Sequence, residues 1–324
     1  MRLSLAIPVH NDTEALAHLL GQAVELGCFE AVVVTDDGSD PPLDPDRLRR
    51  IADRGGIRLT LLRNDTPQGA GQARNRALEH IGSSHVLFFD SDDMLTGEIP
   101  ALWHDLAGRS FDFCLFRHAD SQVAQGGRWG QIELDDAFWR LGGCSSQTLH
   151  VLPEAAFPWL AQTANYPWNK IYRTDFLREN DIRFSEIPIH NDILAHWLSF
   201  LRAGCILTTS RVGAVHFIRQ GSHRLTNRRD LERLRAFEPL SRIARIIRQD
   251  DGPAGPWMTG FLQFSCLLID WIRGSIDTRF HQELDRKVTA FLDACLDRDA
   301  MALLARGDPV LALRVTLLLG FGRI

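Results

Sequence analysis

"HVLFFDSDDM", residues 85–94, runs apolar side chains straight into three carboxylates, Asp90, Asp92 and Asp93. Like charges so close repel one another and raise each other's pKa unless something positive or polar belongs among them. The stretch therefore reads as a buried strand whose carboxyl end faces a cation or a polar ligand. Upstream, "LSLAIPV" (3–9), "AVVVTD" (31–36) and "IRLTLL" (57–62) are runs of the same kind, the pattern of strands covered on both faces. Helical periodicity separates them. Asp12 or Thr13 caps a helix with Leu16, Leu19, Leu20, Ala23 and Val24 on one face, ending near Gly27. A weaker helix is expected over 46–53, after the turn "DPPLDPD", and a third over about 71–81. Strand and helix in repetition mean right-handed crossovers and a mostly parallel sheet, an α/β fold of Rossmann-like character flanked by helices. Ligands of such sheets collect at the carboxyl ends of the strands, where "PVHND", "DDGSD" and "DSDD" all fall.

Beyond residue 110 the alternation loosens. "DFCLFR" (112–117) reads as a strand, "RWGQIEL" as an edge strand, and "PEAAFPWLAQTA" as a helix broken by Pro158. A loop then leads to a helix starting near Asp192, and from Asp230 the pattern is helical almost to the end, with "RQDDGPAGP" as the clearest linker.

The 324 residues, 45% hydrophobic and 24% charged, suffice for one large domain and an appendage. A net charge of −5 gives no global attraction to nucleic acid, and none is expected as a partner. Lys170 and Lys287 are the only lysines, so cationic sites must be built from arginine. Cys28, Cys114, Cys144, Cys205, Cys266 and Cys295 are scattered singly and read as reduced thiols. The N-terminus "MRLSLAIPVHND" has too short an apolar run for a signal peptide, which points to the cytosol. "PVLALRVTLLLGFG" is the most lipophilic stretch, interrupted by Arg314; a buried terminal helix is the expectation, with peripheral attachment at the inner face of a membrane as the second reading.

"IPVHND", "VVVTDDGSD", "TPQGAGQARNRALEHIGSSHVLFFDSDDML", "PWNKIYRTDFL", "HNDILAHWL" and "HFIRQGSHRLT" follow one another in the order of the family 2 glycosyltransferases, and the chain resembles that family over roughly residues 3–226. The resemblance implies a GT-A fold and transfer of a sugar, with inversion, from a nucleotide diphosphate donor, a UDP-sugar, to a glycan or glycolipid hydroxyl. It also implies a divalent cation, Mn2+ or Mg2+. A departing diphosphate gathers negative charge, which a hard cation on oxygen ligands meets. By resemblance a GT-A domain fills 1–228, its nucleotide-binding part about 1–118 and its acceptor-binding part about 119–228. A helical region, 229–324, follows.

The resemblance also distributes roles. Asp92 contacts the metal, and Asp90, with Ser91, faces the ribose or reaches the metal indirectly. Of Asp36 and Asp37, one makes a turn about Gly38 while the second bonds the donor's base, in a pocket lined by Pro8 and His10. Gly69 and Gly71 let backbone approach the nucleotide, whereas Arg74 and Asn75 read as packing or capping residues. Arg219 and Ser222 face the diphosphate, and His216 completes the metal shell. Trp168, Asn169 and Lys170 stand on the acceptor side, where Trp168 either stacks on a sugar or is buried under the sheet. Asp192 is the general base, although the Glu that precedes it in the family is Asn191 here. His190 and His196 are the competing bases, and capping of its helix is the competing role for Asp192. Two rivals stand outside this reading: a phosphatase of the strand-end DxDx[TV] kind, disfavoured by Met94 at the Thr/Val place, and a catalytically degenerate nucleotide-binding or scaffold subunit of a polysaccharide synthesis complex.

Overall fold

Each apolar run of the first ninety residues becomes a strand because its side chains are shielded on both faces: β1 (Leu3–Val9), β2 (Ala31–Asp37), β3 (Arg58–Asn64) and β4 (His85–Phe88). The structure is a computed structural model and describes residues 1–217, 228–252 and 255–321. The helices between the strands are α1 (Thr13–Leu26), α2 (Pro45–Asp53) and α3 (Ala70–His80). Asp12 caps α1 by accepting the Ala15 N–H, and Gly27 ends it at φ 64°. Asp44 caps α2.

The second half adds β5 (Met94–Leu95), β6 (Phe113–Asp120), β7 (His150–Val151), β8 (Lys170–Arg173) and β9 (Ile206–His216). Among the described residues these make one nine-stranded sheet, ordered β3-β2-β1-β4-β8-β6-β9-β5, with β7 on β9. β1 to β4 pair in parallel; β8 runs antiparallel to both β4 and β6, and β9 is parallel to β6. The mostly parallel α/β sheet expected from the sequence is the observed one.

Two expectations fail locally. "RWGQIEL" is not an edge strand: Gly127 and Gly130 turn at φ 75° and 129°, and α6 (Glu133–Leu141) starts within it after the short α5 (Ser121–Gln125). Glu133, Asp135 and Asp136 crowd the first turn of α6, where the helix dipole favours carboxylates. Pro158 does not break a helix but opens one, at the start of α7 (Phe157–Leu160), where a missing N–H costs nothing.

The remaining helices are α4 (Glu98–Asp105), α8 (Thr174–Glu179), α9 (Ile193–Arg202), α10 (Phe237–Asp250), α11 (Pro256–Ser275), α12 (His281–Cys295), α13 (Arg298–Gly307) and α14 (Pro309–Phe321). α10 to α14 do not stand apart. One apolar cluster runs from Ala6, Phe88 and Phe113 in the sheet, through Trp197 and Phe200 on α9, to Phe261, Phe291 and Val315 in the helical region. α14 is half-buried, with Leu311, Ala312, Val315 and Leu318 inside and Val310, Leu313 and Leu317 exposed. No described helix is long and apolar enough to cross a membrane. All six cysteines are free thiols.

Candidate active site

The rim at the carboxyl ends of β1 to β3 is stitched together by polar groups, of which Asp36, Asp37, Ser39 and Asn64 are buried. His10 donates from Nδ1 to the Asp37 carbonyl at 2.8 Å, and the Asn11 N–H, at a left-handed φ of 55°, donates to Ser39 Oγ at 2.9 Å. Pro8 is buried on β1 opposite Thr35. Asp36 makes the expected turn, accepting the Ser39 N–H at 2.8 Å, and pairs with Arg63. Asp37 accepts from Asn64 Nδ2 at 2.7 Å, from the Gln68 N–H at 2.8 Å and from the Gly69 N–H at 2.7 Å. A donor base reading Asp37 would add a fourth bond to a carboxylate that has room for about four.

The next strand end carries the three-carboxylate turn. Asp93 is buried and accepts the Phe217 N–H at 2.9 Å, where β5 lies antiparallel to β9. Met94 faces Val215 in that register, so the end of β9 with His216 stands beside the turn. Ser91 and Asp92 remain partly exposed on it. His216 donates from Nδ1 to Asp120 at 2.9 Å, which leaves Nε2 as its basic nitrogen, the carboxylate–histidine arrangement that stands behind many metal ligands. Among the described residues no three His, Cys, Asp or Glu side chains converge as a cage. Asp90 and Asp92 are the donor type of a cation that takes one or two carboxylates and fills its shell with phosphate and water oxygens; the structure does not bring His216 together with them as a third ligand. Arg219 and Ser222 lie outside the described residues.

Opposite this turn stands the loop before α9. Asp192 occupies the N-cap position, but its backbone is helical (φ −84°, ψ −23°) and its side chain makes no cap bond; a capping side chain needs extended backbone there. Burial raises its pKa to about 6, helped by the charge of Asp90 and opposed by Arg74 and Lys170. His196 is buried with Nε2 donating to the Ala161 carbonyl at 3.0 Å, and burial holds it neutral well below the ordinary range. His190, at φ 62°, packs edge-on against Trp271 of α11, with ring centroids 5.3 Å apart, and burial lowers its pKa to about 4. Burial thus disfavours the protonated form of either histidine.

Three residues carry more of this corner than the sequence indicated. Arg74, only 5% exposed, donates to Asp90 and, at 2.7 Å, to Asn191 Oδ1. Lys170 is fully buried, donates to the Tyr166 carbonyl at 2.8 Å and to Asn169 Oδ1 at 2.6 Å, and burial lowers its pKa to about 7 against the pull of Asp192 and Asp135. Asp120, behind His216, carried no signal beyond its place in a strand. Trp168 is fully buried and stacked on Tyr166 at 4.3 Å, so it does not present a face to a sugar. Gly71 is bare because of protein, not nucleotide: a Cβ there would stand 2.1 Å from the Ser185 carbonyl and 3.0 Å from Asn191 Cβ.

Acidic strand ends gathered on one rim of a mostly parallel sheet flanked by helices describe the GT-A fold. The backbone matches the crystal structure of S. aureus TarS 1-349 in complex with UDP-GlcNAc at a TM-score of 0.73 and 21% identity, over 100% of this chain and 90% of that one. It matches the mannosyltransferase PcManGT from Pyrobaculum calidifontis, in complex with GDP-Man and Mn2+, at 0.54 and 17%, over 99% and 87%. Residues 4–154, just under half of the chain, match the model of glycosyl transferase family 2. Among curated proteins it is 28% identical, over 215 residues, to the poly(ribitol-phosphate) beta-N-acetylglucosaminyltransferase TarS of Staphylococcus aureus, covering 65% of this chain and 34% of that protein. A 111-residue match at 28% to the poly(ribitol-phosphate) beta-glucosyltransferase of Bacillus spizizenii covers 33% and 17%. The chain thus spans about a third or less of the length of the curated relatives it matches.

Proposed function

We propose that the protein is an inverting transferase that moves a sugar from a UDP-sugar to a hydroxyl of a glycan or glycolipid, with Asp192 as general base and Mn2+ or Mg2+ held at Asp92 and Asp90. The observation that carries this reading is Asp192 itself, a carboxylate at a helix start that does not cap, held at a raised pKa within electrostatic reach of Asp90. The named activities of the curated relatives and the UDP-GlcNAc complex of TarS support a UDP donor and suggest a polyol-phosphate polymer as the acceptor class.

The chemistry asks for two things. The acceptor oxygen forms a bond to the anomeric carbon as the bond from that carbon to the diphosphate oxygen breaks, its electron pair leaving with UDP. The acceptor's proton must go to a base on the face opposite the leaving group, and Asp192, whose side chain makes no cap bond to its helix, takes it. The rim formed by His10, Asp37 and Gly69 positions the nucleotide, and Asp90 and Ser91 lie where its ribose would reach the end of β4. When bound, the cation neutralises charge developing on the diphosphate.

Asp192→Asn tests the base. The amide keeps size and polarity but cannot take a proton, so transfer is expected to fall by about 10²–10⁴-fold while UDP affinity barely moves. Near-normal transfer would overturn the assignment. Wild-type protein that binds UDP with manganese yet releases none from UDP-GlcNAc, with any acceptor, would point instead to a scaffold subunit.

A further inference from the structure

We propose that Arg74 is a positioning residue whose guanidinium clamps Asp90 to Asn191 and so fixes the base loop against the donor-side carboxylate. The proposal rests on the reading of Asp192 as the base. Arg74 leaves α3 and is almost wholly buried, where an uncompensated charge is costly, so its ion pair with Asp90 is obligatory rather than incidental. Its other terminal nitrogen donates to Asn191 Oδ1 at 2.7 Å, one residue before Asp192. Below the fork, the Phe184 ring lies 5.2 Å from Arg74 Cζ, which helps to hold the guanidinium plane. A rigid planar fork with its two ends on two elements fixes the angle between them, which a lysine ammonium does not.

α3 holds the rest of the loop as well. Asn75 donates from Nδ2 to the Phe184 carbonyl and accepts the Phe184 N–H, both at 2.9 Å, and Gly71 lets the Ser185 carbonyl come close. The whole approach from Phe184 to Asn191 is therefore referenced to one helix, and Arg74 is the point at which that helix also touches Asp90. This gives Asn191 a physical role. A Glu at that position would bring a second carboxylate to Arg74 and compete with Asp90 for its charge. An amide accepts the same hydrogen bond and leaves the charge to Asp90 alone.

The test compares Arg74→Gln, Arg74→Lys, Asn191→Ala and the double variant Arg74→Gln/Asn191→Ala, using UDP release from UDP-GlcNAc with poly(ribitol phosphate) as acceptor, UDP affinity with manganese, and thermal unfolding. Asn191→Ala leaves the Asp90 ion pair intact, so kcat should fall by about tenfold or more while UDP affinity holds, the cost expected of a misplaced group. Arg74→Gln should lose both UDP affinity and kcat, Arg74→Lys should restore affinity but not kcat, and the double variant should be no slower than Arg74→Gln, because both changes break one clamp. Should Arg74→Gln not fold, Asn191→Ala and Arg74→Lys carry the test. A folded Asn191→Ala with wild-type kcat, beside a slow Asp192→Asn, would overturn the clamp and spare the base. A slow Asn191→Ala beside a normal Asp192→Asn would overturn the base and spare the clamp.

Discussion

A carboxylate that must accept a proton at neutral pH has to be ionised beforehand, yet hold the proton long enough to matter. Asp192, as the proposed base, would meet that condition because burial lifts its pKa to about 6, while Arg74 and Lys170 stop it from rising further. The base works only when deprotonated, so kcat should climb with pH through about 6 and level off above it, whereas an exposed aspartate would level off from about 4. Lys170→Met removes one of the cations that favour the ionised form, so the acid limb should move to higher pH; a limb that moves down, or stays, would exclude that coupling. At this scale the sequence was informative wherever the chemistry sits in adjacent residues. Asp90, Asp92 and Asp192 stand out as carboxylates at element ends. Arg74 and Lys170 did not, because each acts through partners 16 to 117 residues away or through burial, and neither property is written in neighbouring letters.

At the scale of elements, the loop that carries the proposed base is gripped from two sides. On one side α3 offers Gly71, Arg74 and Asn75; on the other α11 offers Trp271, against which His190 is packed in a left-handed conformation that costs a non-glycine residue about 1–3 kcal/mol and persists only where its surroundings enforce it. Trp271 itself carries the Arg233 guanidinium on its face, 4.5 Å from the ring centroid. Gly71→Ala should force the Ser185 carbonyl away, costing about 1–3 kcal/mol of stability as overpacking does, and lowering turnover more than UDP affinity. Trp271→Ala should leave the rim at β1 to β3 untouched but let His190 relax, so kcat should fall with UDP affinity retained. Equal losses of both would mean that α11 acts on the whole fold and not on the loop. The strands of the parallel half were legible because each is an unbroken apolar run. β8 and β9 were missed for opposite reasons: β8 has only four residues, and "ILTTSRVGAVH" mixes Thr, Ser and Arg into a strand whose middle is only half-covered.

For the molecule as a whole, the family resemblance and the helical pattern after Asp230 suggested a GT-A domain over 1–228 followed by a helical region, and the packing bears directly on that division. Trp197 of α9, fully buried, has its ring 5.0 Å from Phe261 and 5.3 Å from Phe264 of α11, and the cluster that holds them also holds Phe88 and Phe113 of the sheet. Cutting the chain after residue 228 would expose Leu194, Trp197 and Leu198 on the helix that Asp192 begins, and would remove Trp271 from behind His190. Burial of one such side chain is worth about 1.5–3 kcal/mol. Several together rival the whole stability of an ordinary domain, about 5–15 kcal/mol. The truncated protein is therefore expected to lose cooperative thermal unfolding and near-ultraviolet dichroism, and UDP binding with them, even though no carboxylate of the rim has been removed. Calorimetry and UDP titration on the same preparation decide it: a soluble truncation that unfolds in one sharp transition and binds UDP like the full chain would mean that the sheet closes its own core, and that the helical region serves the acceptor or assembly alone.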